Sequence, residues 1–147
     1  MSPSEYKKLY TEFQTLVEKK LSMYITEPEP VSLYEPFRYF ISDCGKRIRP
    51  VLAMICAGAV GGKPESAVDV GTAIEILHNF TLVNDDIMDK SPMRRNRPTV
   101  HTKWNEPVAI LVGDVMVGYA YKLLPSPENH SRSGQIIKAF TDGLIKV

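Results

Sequence analysis

Cysteine is scarce in this chain: two residues, Cys44 and Cys56, among 147. They form no C-x-x-C pair and no zinc-ligand spacing, which excludes a disulfide framework and a zinc module. Two reduced thiols are expected, as in a cytosolic protein. Long apolar runs are lacking too. The longest, Val51 to Val60, falls far short of the roughly 20 residues a bilayer demands. No charged start followed by an apolar stretch marks a signal peptide. Nor does either sign of charge dominate: 18 Lys and Arg stand against 17 Asp and Glu, a net charge of +1. No global field therefore recruits nucleic acid or anionic lipid, and electrostatic binding must come from local clusters. Strand alternation, internal repeats and low-complexity tracts are absent. The expectation is a soluble, cytoplasmic protein with one domain over 1–147, long enough to bury a core unaided.

What the sequence does carry is helical periodicity. Tyr6, Leu9, Tyr10, Phe13, Leu16, Val17 and Leu21 recur at helical spacing, predicting an amphipathic helix over 3–25. Glu27-Pro28-Glu29-Pro30 stops it. A short helix is expected over 33–42, with Pro36 near its first turn. Residues 50–60 are apolar nearly all round and predict a buried helix, ended by Gly61-Gly62. Ala67 to Met88 carries the longest helical pattern, with Gly71 its one weak point. The stretch from Ser91 to Glu106 reads as a loop. Residues 107–124 are helical again and close at Pro125-Ser126-Pro127, and 134–147 begins a further helix. The class is all-α.

Three clusters carry chemistry. The first is Asp85-Asp86-Ile87-Met88-Asp89. On a helix, Asp85 and Asp89 lie one turn apart on one face. Like charges at that spacing destabilise a helix, and a helix C-terminus disfavours anions. A divalent cation relieves both penalties, and Mg²⁺ suits paired carboxylates because it keeps waters and binds substrate phosphates. A solvated acidic helix end is the plainer alternative, but the interleaved Leu82, Val83, Ile87 and Met88 argue for partial burial. His78 falls within about 40° of Asp85 and Asp89 on the same stripe. It reads as a ligand contact or as an ordinary satisfied histidine.

The other two clusters are cationic. Arg94-Arg95-Asn96-Arg97-Pro98 follows the acids, as an anion clamp or as a solvated loop pairing weakly with them. Gly45-Lys46-Arg47-Ile48-Arg49-Pro50 precedes a helix N-terminus, itself an anion site. It is not a P-loop. Together the two stretches hold six of the 18 basic residues. A nucleic acid would be repelled by the acidic stripe, whereas a metal-bridged diphosphate accounts for both signs of charge.

At this point the residues resemble a known family. Gly45 to Pro50 is similar to the G-K-R-x-R-P block of trans-isoprenyl diphosphate synthases. Asp85 to Asp89 resembles their first aspartate-rich motif, and Arg94-Arg95 with Pro98-Thr99-Val100-His101 their R-R-x-x-P-T-x-H block. Gly113-Asp114 matches a further helix signature. The resemblance covers roughly residues 30–124. It implies an antiparallel helical bundle of isoprenoid synthase type, a homodimer, and a Mg²⁺-dependent prenyltransferase of farnesyl or geranylgeranyl type. Such an enzyme condenses isopentenyl diphosphate with an allylic diphosphate. Lys46, Arg49, His78 and Arg95 would hold the diphosphate of isopentenyl diphosphate. Asp85 and Asp89, helped by Asp86, would bind Mg²⁺ on the allylic diphosphate, which Arg94 would also contact. Bulky residues before the aspartates set product length in such enzymes, which singles out Phe80 and the small Thr81 and implies fifteen or twenty carbons.

The departures are few. Cys44 and Asn96 stand where the family usually has glycine, and Asn84 where histidine is common. The family is about twice as long and carries a second aspartate-rich motif that is absent here. The expectation is therefore an N-terminal half, inactive alone. The alternative is a non-catalytic homologue that binds and modulates a full-length partner.

Overall fold

A computed structural model describes residues 2–26, 29–42, 45–125 and 127–146. The fold is all-α, as expected. Among the described residues seven helices form an antiparallel bundle: α1 (Pro3–Tyr24), α2 (Val31–Ile41), α3 (Ile48–Ala59), α4 (Val68–Met88), α5 (Val100–Lys103), α6 (Glu106–Leu123) and α7 (Ser133–Leu144). Short 3-10 turns at Pro64–Ala67 and Pro127–Arg132 introduce α4 and α7. Among the described residues no helix is long and apolar enough to cross a membrane.

Local chemistry explains the helix starts. Ser2 and Glu5 form a reciprocal capping box, with Pro3 in the first turn of α1. The Asn105 side chain accepts from the Val108 amide at 2.8 Å and caps α6. Core residues follow the helical period: Phe13, Val17 and Leu21 of α1 are buried against Phe37, Met54, Ile76 and Met116 of the other helices. α4 is the hub, packing most extensively on α6 and next on α3. Gly71 is a contact point rather than a weakness. A Cβ there would lie 3.1 Å from the Pro50 backbone, so α3 and α4 approach closely only because it is glycine.

Four expectations need correction. α1, at 22 residues, is longer than α4, at 21. Pro36 lies well inside α2 rather than in its first turn, on the buried side with Phe37 and Phe40. α3 is not buried all round: it packs Pro50, Val51 and Met54 inward but leaves Ile48 and Leu52 more than half exposed. The loop after the acids contains a hairpin, β1 (Met93–Arg94) against β2 (Arg97–Pro98), followed by α5. Cys56 is an exposed free thiol. Cys44, Ser126 and the Glu27-Pro28 part of the first stop signal lie outside the described residues.

Candidate diphosphate and metal site

The acidic motif closes α4. Asp85 lies in the last turn and Asp89 caps the helix, its amide donating to the Asp85 carbonyl at 2.8 Å. No basic residue occupies that last turn, so the carboxylates sit at the negative helix end uncompensated by their own helix. Both are exposed.

Asp86, about 100° round the helix, has a different environment. It is 3% exposed, and Arg94 Nε donates to both of its oxygens, at 3.0 and 2.9 Å. The arginine is itself only 29% exposed. This pair draws the hairpin back over the end of α4.

The hairpin explains how two neighbouring arginines face different ways. Arg95 and Asn96 are its turn residues, with φ of 49° and 63°, both in the left-handed region that a tight two-residue hairpin requires. Asparagine tolerates that region better than most residues, which suits Asn96 to a place where glycine is common. Arg94 pairs with Arg97 across the ladder. Tyr39 of α2 braces the second strand: its hydroxyl donates to the Pro98 carbonyl at 2.9 Å, and the Arg97 guanidinium lies 4.1 Å from its ring centre. Thr99, 1% exposed, ties the far end by donating to the Ser91 carbonyl at 2.8 Å.

Arg95 thereby reaches across to the other basic block. A cavity of about 380 Å³ is lined by Gly45, Lys46, Arg49, Glu75, His78 and Arg95, among others. A Cβ on Gly45 would stand 3.2 Å from Arg95 Nη1, so the glycine makes room for the guanidinium. The structure thus brings together Lys46, Arg49, His78 and Arg95, which are spread over 50 residues of sequence. Burial, and after it the positive charge of Arg49, push the His78 imidazole below its ordinary value. Glu75 opposes this, while Arg95 and Arg94 add to it. An anion entering the cavity would reverse the balance.

A second cavity, about 310 Å³, shares Arg49 and His78 as its wall. Thr81 and Asp85 also line it, and Ile74, Leu77, Leu82 and Leu144 make much of the rest apolar. Phe80 is placed elsewhere. It is half-buried with its ring against α6, where a Cβ on Gly113 would come within 3.2 Å of Cδ2. A larger hollow, about 730 Å³ beside Lys7, Thr11, Phe13 and Glu65, lies along α1 away from these residues.

Among the described residues no three His, Cys, Asp or Glu side chains converge as a complete metal cage. Asp85 and Asp89 still fit a Mg²⁺ ion, which favours one or two carboxylates, waters and substrate phosphates over an all-protein shell. Sequence reasoning missed Tyr10, Glu18 and Glu75, and placed Arg47 in the cationic block without its inward turn. A charged residue on the apolar face of a helical pattern, as Glu75 is beside Ile76, was the available signal.

The bundle thus carries paired carboxylates at the end of α4 with arginines gathered beside them. The chain belongs to the polyprenyl synthetase family, whose family model matches residues 30–147. It is 41% identical over 137 residues to a geranylgeranyl diphosphate synthase of Sulfolobus acidocaldarius, covering 93% of this chain and 41% of that one. It is 44% identical over 105 residues to another of Methanosarcina mazei, covering 71% of this chain and 32% of that one. Among solved structures, a geranylgeranyl pyrophosphate synthetase from Pyrococcus horikoshii superposes with a TM-score of 0.84 at 33% identity, over 95% of this chain and 44% of that one. The chain spans less than half the length of each of these relatives.

Proposed function

We propose that this protein is a short-chain prenyltransferase. It condenses isopentenyl diphosphate with an allylic diphosphate to give a product of fifteen or twenty carbons, and these 147 residues supply one wall of the site. The observation that carries the reading is the convergence of Lys46, Arg49, His78 and Arg95 on one cavity beside Asp85.

Lys46, Arg49 and Arg95 bind the diphosphate of isopentenyl diphosphate, and His78 adds a charge-assisted hydrogen bond when protonated. Arg94, anchored on Asp86, reaches the allylic diphosphate. Asp85 and Asp89, with the help of Asp86, would hold Mg²⁺, which would supply neutralisation of the charge on the leaving diphosphate. The allylic C–O bond breaks with its electron pair going to the diphosphate. The isopentenyl double bond then attacks the allylic carbon, and the released diphosphate takes up the proton lost as the new alkene forms. Ile74, Leu77, Leu82 and Leu144 keep water from the cation and offer the hydrocarbon an apolar path. Thr81 lines that path, and Phe80, whose ring packs on α6 outside that cavity, bears on its depth through the seam between α4 and α6.

No nucleic acid is a partner. The protein acts in the cytoplasm as a homodimer, and the exposed Ile110 and Leu111 of α6 support a face for the second copy. Steady-state kinetics of the full-length protein tests the division of the site. Lys46→Ala and Arg95→Ala should raise KM for isopentenyl diphosphate, and Arg94→Ala that for the allylic substrate, each by roughly 2–4 kcal/mol of binding. Equal effects of each substitution on both substrates would refute the division.

A further inference from the structure

Arg47 differs from its basic neighbours. Lys46 and Arg49 are exposed, whereas Arg47 is 2% exposed. Its guanidinium is committed to protein partners. Nε donates to Glu18 of α1 at 2.7 Å, Nη1 to Glu75 of α4 at 3.1 Å, and Nη2 to the Ile41 carbonyl at the end of α2 at 3.0 Å. One side chain therefore joins three helices at the point where α3 begins. Burial alone would lower its affinity for the proton, but the two carboxylates outweigh that and hold it above the usual arginine range.

The backbone is equally constrained. Arg47 has φ 51° and ψ 37°, a left-handed conformation that costs a residue with a side chain and persists only where its surroundings over-determine it. Here the three bonds of the buried guanidinium hold the chain in this turn. The preceding residue is pinned as well, because the Tyr10 hydroxyl of α1 donates to the Lys46 carbonyl. These bonds hold a turn that leaves Lys46 and Arg49 lining one cavity with Arg95 and His78.

We propose that Arg47 is a positioning residue: clamped by Glu18 and Glu75, it sets the Gly45–Pro50 turn so that Lys46 and Arg49 converge on one diphosphate. The inference rests on the reading of that cavity as a diphosphate site. Glu75 gives the test its sign. It is a carboxylate, 5% exposed, in the lining of a cavity that must accept an anion. By charge alone, neutralising it tightens anion binding. If it acts by holding Arg47, neutralising it weakens binding.

The experiment is calorimetric titration of the full-length protein with inorganic pyrophosphate, at about pH 8 so that His78 is neutral in every variant. Thermal unfolding is followed in parallel. Lys46→Ala should weaken binding about tenfold or more. Glu75→Gln and Arg47→Lys should each weaken it about fivefold or more, because an ammonium keeps the charge but cannot bridge two carboxylates and a carbonyl. Glu18→Gln, at the more exposed end of the network (40% exposed), should weaken it less and in the same direction. This variant carries the test if the buried substitutions fail to fold. Unchanged or tighter binding in Glu75→Gln and Glu18→Gln, alongside loss in Lys46→Ala, would overturn the positioning role and leave the site standing. Unchanged binding in Lys46→Ala would overturn the site reading itself.

Discussion

Replacing Asp86 with asparagine separates two ways in which that residue can serve the acidic motif. Asp86 is 3% exposed and holds Arg94 Nε through both oxygens, at 3.0 and 2.9 Å. Two unit charges about 4 Å apart attract by about 4 kcal/mol at an effective dielectric of 20. Desolvation of the carboxylate and the partial exposure of Arg94 offset part of this, leaving about 1–3 kcal/mol of coupling between contacting residues. If Asp86 helps by anchoring Arg94, Asp86→Asn should raise KM for the allylic substrate by a factor within about 5–150. The double variant with Arg94→Ala should add little to that. The Mg²⁺ concentration giving half-maximal turnover should move far less than in Asp85→Ala. The assay is a Mg²⁺ titration of steady-state turnover for the four proteins of the cycle and for Asp85→Ala. A Mg²⁺ shift in Asp86→Asn equal to that in Asp85→Ala, with effects additive to Arg94→Ala, would refute the anchoring argument and make Asp86 a direct ligand.

Phe80→Ala should lengthen the products, read by chromatography, because it opens the seam between α4 and α6 about 7.5 Å back along the helix axis from Asp85. The cost in unfolding free energy should stay below about 3 kcal/mol, since the ring is only half-buried. An unchanged product distribution would confine Phe80 to packing against Gly113. His78 should give two opposite pH effects relative to His78→Asn. Its neutral form is favoured in the folded protein, so the unfolded chain binds the proton more readily. Wild-type stability should therefore fall relative to the variant as pH drops below about 6.5. Pyrophosphate affinity should instead gain more in wild type as pH falls from about 8 to 6, because a bound anion favours the imidazolium. Parallel pH profiles for the two proteins would remove His78 from the site.

Much of this arrangement was legible from residue type and spacing. Helical periodicity located every long helix, since each buries one stripe: Phe13, Val17 and Leu21 form a core face legible from their spacing alone. Of the expected stripe of His78, Asp85 and Asp89, the first two line one cavity and Asp89 does not. The hairpin was not legible. Two-residue strands show no alternation, and Arg95-Asn96 lacks the Asn-Gly signature of such turns. Its consequence was hidden with it, namely that Arg94 turns to Asp86 while Arg95 turns to Lys46 and Arg49. The exposed flank of α3 was missed because an all-apolar pattern gives no phase from which to read a solvent side. The inward turn of Arg47 depends on carboxylates 28 and 29 residues away in sequence, beyond the reach of any local pattern.

On the proposed function, the carboxylates at the end of α4 and the adjoining cations together serve prenyl transfer. The most direct measurement is incorporation of radiolabelled isopentenyl diphosphate by the full-length protein, supplied with an allylic diphosphate and Mg²⁺. Incorporation into products of fifteen or twenty carbons, abolished by EDTA and by Asp85→Ala, is the predicted result. No incorporation by the folded protein, or incorporation that survives both treatments, would contradict it.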